Sequence, residues 1–368
     1  MKRILLIIAI LAICLPNVAQ TKKTTTKTAQ KTTVVKKTSK DNTKKTTATK
    51  TVAKKPTDAK ATSANTKVAE KDTKKEVAPA STTAVNCGYL CNTPLPYLPS
   101  KLDILFIGNS FAIDTSTALP EILNSLGLSN VNVYVLYKGG CSMKEHYNYY
   151  KNGDKVYELW QYNIKGEQKL ESATSINYVM CRFPYDVVIF QQYSLESGDY
   201  SSYEPYLSKI IQAYNINKIA PRTTFAFNQT WSYSSKHKNI VKYKNPENMY
   251  KKICESVKKM KAASGIDIII PCGTAVQNAR NVPSLVTDNE FTRDNQHIDS
   301  YMGRYLLACT FYESIIAPCF GRNIRDDYTV YGKAGANNQV NNSNRRILQN
   351  CARLAVANNY EVSEFIGE

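Results

Sequence analysis

The chain has 368 residues and a formal net charge of +18, from 48 Lys and Arg against 30 Asp and Glu. The excess is concentrated, because residues 20–85 hold 17 Lys against 5 acidic residues and leave residues 86–368 with about +4. That distribution argues against a domain with its own nucleic-acid-binding face, and three histidines without a CxxC pair give no zinc pattern, so neither a metal nor a cofactor is expected.

Met1-Lys2-Arg3 is followed by an apolar run from Ile4 to Pro16 and by Ala19. A charged start, an apolar core too short to cross a bilayer and a small residue at the cut form a secretory signal over residues 1–19. Lipid anchoring at Cys14 is the alternative, against which Ile13 stands as a bulky residue where lipoprotein signals carry a small one. The chain is expected to be exported to the periplasm, the cell surface or the medium, with no transmembrane span once the signal is removed.

Residues 20–85 are Lys, Thr and Ala with scattered Val and Ser and no aromatic residue. Such a stretch buries too little apolar surface to offset its chain entropy and reads as a disordered tether. Its charge suits contact with anionic cell-surface polymers, or a plain solvated spacer. Residues 86–368 suffice for one domain. With Cys14 removed, nine cysteines remain, an odd number that leaves at least one thiol free or bonded to another chain; Cys87 and Cys91 are spaced to close a small loop.

Within this domain strand and helix signals alternate. Leu102–Gly108 reads as a strand, Leu119–Leu126 as a helix, Val131–Tyr137 as a strand and Met143–Tyr150 as a helix. Asp186–Gln191, Thr223–Phe227 and Ile266–Ile270 are the later strands, the last stopped by Pro271. Helices are expected near Tyr206–Tyr214, Glu247–Ala263, Ser300–Ile316 and Asn344–Asn358. The alternation predicts an α/β fold of three layers, with a mostly parallel five-stranded sheet covered on both faces. Residues 151–183 are polar and Tyr-rich and fit as a hairpin-like insertion over the sheet edge.

Four loops at the carboxy-terminal ends of these strands carry chemistry. Ser110 follows the first strand in Ile-Gly-Asn-Ser-Phe, Gly139-Gly140 the second and Gln191-Gln192 the third, while Asp294-Asn295-Gln296-His297 lies near the far end. A serine hydroxyl needs a base at neutral pH, and histidine is matched to that task. Asp294, three residues before His297, is spaced to fix the imidazole's tautomer. The Ser110 and Gly140 N–H groups and the Gln191 amide are candidate oxyanion donors. Each has a structural alternative: Ser110 as a helix cap, Asp294 as a turn residue, Gly140 as a positive-φ hinge.

This order, with Gly-Cys-Ser-Met-Lys-Glu-His and Gly-Arg-Tyr-Leu-Leu-Ala-Cys-Thr-Phe-Tyr-Glu, resembles the SGNH/GDSL hydrolase superfamily over about residues 102–316. Within it, these motifs and Ile-Gly-Asn-Ser-Phe more closely resemble a branch of exported bacterial proteins. The resemblance implies a flavodoxin-like sheet and a serine esterase with Ser110 as nucleophile, His297 as base, Asp294 orienting it and Gly140 as an oxyanion donor. The family's further donor is usually an asparagine after the third strand. Here Gln191 takes that place, with Gln192 in reserve, as in sialate and acetylxylan esterase relatives.

Trp231, at the end of the fourth strand, is either an aromatic wall for a sugar or a packing residue. His146 either lines the pocket or packs on its helix face. The expected activity is hydrolysis of a carbohydrate ester, with acetyl the preferred acyl group. A lipid esterase or acyltransferase on the same fold, and a non-catalytic glycan-binding surface module, are the alternatives.

Overall fold

Strand β1, Leu102–Gly108, is buried at all seven positions, as a strand covered on both faces must be. It lies in the middle of the sheet in the computed structural model, which describes residues 100–220, 222–285 and 289–364. The signal at 1–19, the tether at 20–85 and the Cys87–Cys91 pair lie outside the described residues.

The strands β2 (Val131–Tyr137), β5 (Val187–Phe190), β6 (Thr224–Asn228) and β7 (Ile268–Ile270) join β1 in parallel. Two more strands, β3 (Tyr157–Asn163) and β4 (Gly166–Thr174), add to the β2 edge in antiparallel register. The full order is β4-β3-β2-β1-β5-β6-β7. The parallel part is the flavodoxin-like order, whose chain reversal beside β1 opens a crevice at the carboxy-terminal ends of the strands.

The sheet therefore has seven strands, where the sequence pattern indicated five. The difference is the insertion at 151–183. Instead of lying over the edge it continues the sheet, because Tyr157, Leu159 and Tyr162 are buried along β3 and can join the core only from within the sheet plane.

Helices cover both faces. One layer contains α1 (Ser110–Ser116), α7 (Cys272–Arg280), α8 (Met302–Phe311) and α10 (Asn342–Ala357). The other contains α3 (Met143–Asn152), α4 (Ile176–Met180), α5 (Tyr206–Asn217) and α6 (Pro246–Ser264). Two short helices, α2 (Leu119–Ser125) and α9 (Ala317–Phe320), complete the set. Phe106 of β1 stacks on Phe311 of α8 with ring centroids 6.4 Å apart, which fixes the first layer to the sheet. Pro271 ends β7 and also starts α7, a helix absent from the sequence reading. Gly273 lets α7 in close, since a Cβ there would meet the Thr230 carbonyl oxygen at 2.3 Å.

Candidate active site

The site begins at the join of β1 and α1. Asn109 is the N-cap, and its side-chain oxygen accepts from the Phe111 N–H at 3.1 Å. Ser110 is thus the first helical residue, half-buried, and its N–H points out of the helix start with no intrahelical carbonyl to bind. Nε2 of His297 lies 2.9 Å from Ser110 Oγ, across 187 residues of sequence. Nδ1 of His297 lies 2.7 Å from Asp294 Oδ2. The structure brings the three residues into one hydrogen-bonded line.

The Asp294–His297 turn is built to hold that line. Asp294 Oδ1 accepts from the N–H groups of Gln296 (3.0 Å) and His297 (2.6 Å). Asn295 adopts φ +70°, a left-handed position that asparagine tolerates, and so brings the aspartate back under the ring. Burial pushes the Asp294 carboxyl up, but the donated N–H groups and the imidazole outweigh it and leave the acid below its ordinary range. It stays an anion through the range in which an imidazole titrates. Phe111 meets the His297 ring edge-on at 5.6 Å and so limits its tilt.

The turn is clamped to α1 by an ion pair absent from the sequence reading. Asp114, one turn after Ser110, is fully buried. Arg293 Nη1 lies 3.0 Å from each of its oxygens, and Arg304 of α8 donates to Asp114 Oδ1 through Nε at 2.9 Å. Arg293 also donates to the Ile298 carbonyl at 2.6 Å. The helix that begins with Ser110 and the loop that carries His297 are therefore gripped at one carboxylate. A signal was present: Asp114 is a lone acid in an otherwise uncharged turn four residues after Ser110, and Arg293 directly precedes Asp294.

The turn after β2, which carries Gly140, is tied to the Ser110 helix by Asn109. Its Nδ2 donates to the Cys141 carbonyl at 3.2 Å, tying the helix start to the Lys138–Cys141 turn. Gly140 in that turn has φ +63° and is exposed beside the mouth, with Tyr193 as its neighbour. Lys138 N–H donates to the Gly108 carbonyl at 3.1 Å, so the turn is pinned to the end of β1.

Gln191 is placed behind these groups. Its Nε2 donates to Asn109 Oδ1 at 2.7 Å, and its Oε1 accepts from Asn228 at 2.8 Å. With no exposed surface, it sets the orientation of Asn109 through a chain of carboxamides running across β6, β5 and β1.

Three other candidate contacts are wall, and for Trp231 and His146 this is the packing alternative. Gln192 is fully buried, donating to Ser202 and accepting from the Met143 N–H at 2.9 Å, so it fastens α3 and not a ligand. Trp231 is also fully buried; it stacks on Phe111 at 3.8 Å and donates to the Gln296 carbonyl at 2.9 Å. It supports His297's loop from beneath and offers no face to a sugar. His146 is sealed in α3 with Nδ1 2.9 Å from the Tyr157 hydroxyl, and burial lowers its pKa to about 3. A neutral, enclosed imidazole at that position packs and does not line the mouth.

Residues 103–344 match the family described as Domain of unknown function (DUF4886). The chain belongs to the DUF4886 family. A DUF4886 protein from Bacteroides uniformis ATCC 8492 is 28% identical, with a TM-score of 0.64 over 72% of this chain and 98% of its own. An SGNH-hydrolase candidate from Slackia heliotrinireducens is 18% identical, with a TM-score of 0.40 over 58% of this chain and 99% of its own. An acetyl xylan esterase from Geobacillus stearothermophilus is 10% identical, with a TM-score of 0.36 over 60% and 96% of the two chains. No curated protein is significantly similar. This DUF4886 chain thus shares its fold with the family, and its chemistry has to be read from Ser110 and its neighbours.

Proposed function

We propose that this DUF4886 chain is an exported serine esterase that removes acetyl or similar acyl groups from carbohydrate. The observation that carries the reading is the line from Ser110 Oγ through His297 to Asp294, with steps of 2.9 Å and 2.7 Å. These are distances at which a proton passes from hydroxyl to imidazole while a carboxylate stabilises the imidazolium.

In the first half-reaction Ser110 Oγ bonds to the ester carbonyl carbon as its proton moves to His297 Nε2. The tetrahedral oxyanion is met by the Ser110 and Gly140 N–H groups. Collapse breaks the bond to the sugar oxygen, which leaves with the proton from His297. Water then attacks the acyl-serine with His297 again as base, releasing the acid and restoring Ser110. Export rests on the Met1–Ala19 signal pattern. The carbohydrate substrate rests on the resemblance to sugar acetylesterases in the sequence.

The test is hydrolysis of p-nitrophenyl acetate and release of acetate from acetylated xylan by wild type and Ser110→Ala. Turnover that falls by about 10³-fold or more in the alanine variant supports the reading. Equal rates for the two proteins, or none for either on both substrates, would remove it.

A further inference from the structure

The 26 residues from Lys236 to Lys261 contain nine lysines and two glutamates, a net of +7. Residues 86–368 together carry only +4, so the residues outside this segment sum to a net negative charge of about −3. Each glutamate already holds one lysine, Glu247 with Lys251 and Glu255 with Lys252, both at 2.7 Å. The excess is not neutralised within the segment.

A groove of about 690 Å³ opens on it, between α6 and the loop that follows β5. Five lysines line the groove against Asp199 and Glu255. Lys244 stands at φ +73°, a backbone position that a lysine occupies only at some cost in strain. Lys242 lies over the Tyr243 ring at 5.4 Å. Tyr200, Asn248 and Ser256 add hydroxyl and carboxamide groups between the charges.

Both walls are continuations of the loops that build the active site. The chain leaves β5 through Gln191 and Gln192 and reaches Asp199 and Tyr200. It leaves β6 through Trp231, under His297's loop, and reaches Lys242 and Lys244. The groove therefore starts at the end of the sheet that carries Ser110 and runs down α6 to Lys259. From Asn248 to Lys259 that is about 17 Å at the rise of an α-helix. This length suits a polymer better than a single sugar.

We propose that this groove is a binding site for a carboxylate-bearing polysaccharide, the strand whose ester groups are presented to Ser110. Lysines spaced among hydroxyls, carboxamides and an aromatic ring match sugar hydroxyls with intermittent carboxylates. A phosphate backbone is better served by arginine forks, and the segment contains no arginine. The presentation to Ser110 rests on the esterase reading; the binding does not.

The test uses the full chain, so that the basic tail contributes equally to every protein compared. Binding of de-esterified polygalacturonate is measured for wild type and for Lys242→Gln/Lys244→Gln/Lys259→Gln, with melting temperature as the check on folding. The triple variant is expected to bind about tenfold more weakly at low salt, with the difference shrinking as salt rises. Its binding to neutral xylan is expected to be unchanged. Equal affinity of the two proteins for polygalacturonate would overturn the proposal. So would an equal loss toward duplex DNA, which would mark a general polyanion patch. A lysine-dependent difference without Ser110-dependent hydrolysis would remove the esterase reading and leave the groove; hydrolysis without that difference would do the reverse.

Discussion

Arg293 reaches across 179 residues of sequence to set one guanidinium nitrogen 3.0 Å from both oxygens of Asp114. The contact joins the helix that begins with Ser110 to the loop that carries Asp294 and His297. A 2.9 Å gap between two side chains from opposite ends of a domain is kept only if the elements bearing them are locked together.

Asp114→Asn keeps the shape and removes the charge. The two guanidinium groups then lack their buried counterion, and stability is expected to fall by about 3–5 kcal/mol. In the folded protein, kcat on p-nitrophenyl acetate is expected to drop by about 10- to 100-fold, with KM within about twofold, because the loop shifts while the mouth stays. Steady-state kinetics well below the melting point separate the two effects. An unchanged kcat would mean that the pair supports the fold without aligning Ser110 and His297.

Asp294 is held below the usual carboxylate range, so it remains ionised as the pH falls through the imidazole range. The acid limb of kcat/KM is therefore expected to show no step from this carboxyl within the ordinary carboxylate range. Asp294→Asn is expected to lower kcat by about 10²-fold, less than a fully enclosed triad acid, because its side chain is 50% exposed. A two-proton limb in wild type would contradict the assignment.

Trp231 distinguishes a sugar platform from a support. Trp231→Phe keeps a ring under Phe111 and loses the 2.9 Å bond to the Gln296 carbonyl. Turnover of a small ester is expected to fall several-fold, while binding of neutral xylan oligomers stays the same. Trp231→Ala is expected to cost about 3–5 kcal/mol in stability. A loss of xylan binding with p-nitrophenyl acetate turnover intact would restore the platform role.

His146 makes stability depend on pH. Its folded pKa, about 3, lies below an ordinary histidine near 6.5, so the unfolded chain binds the proton more readily. The contribution is complete above about pH 6.5 and is lost as the pH falls toward 3, at up to about 1.4 kcal/mol per pH unit. Urea titrations between pH 4 and 6 are expected to show a shallower decline for His146→Phe than for wild type. Parallel declines would place the acid sensitivity elsewhere.

Much of the geometry of the candidate site was legible because its determinants are local. Ser110 follows a fully apolar strand, and Asp294 and His297 share one turn. What joins them was hidden by distance in the sequence, as with Asp114 and Arg293, or by ambiguity of type. Trp231 after a strand looks the same whether its ring faces a sugar or Phe111, and only packing decides. Helix α7 escaped for another reason. Its polar residues Thr274, Gln277 and Asn278 are buried along with the apolar ones, so the polar stripe does not mark a solvent face. The β3–β4 hairpin was recognised as an insertion, but alternation along β3 is broken by Trp160 and Gln161, both half-buried.

That hairpin also determines what one molecule shows to the next. Without it, β2 would end the sheet as a flat apolar border with open backbone groups, a template for another chain. With it, the border is β4, where Glu167, Lys169 and Glu171 alternate in sign on a strand whose register slips against β3. Edges of this kind discourage intermolecular strand pairing, so the insertion equips the domain to stay unaggregated at high local concentration.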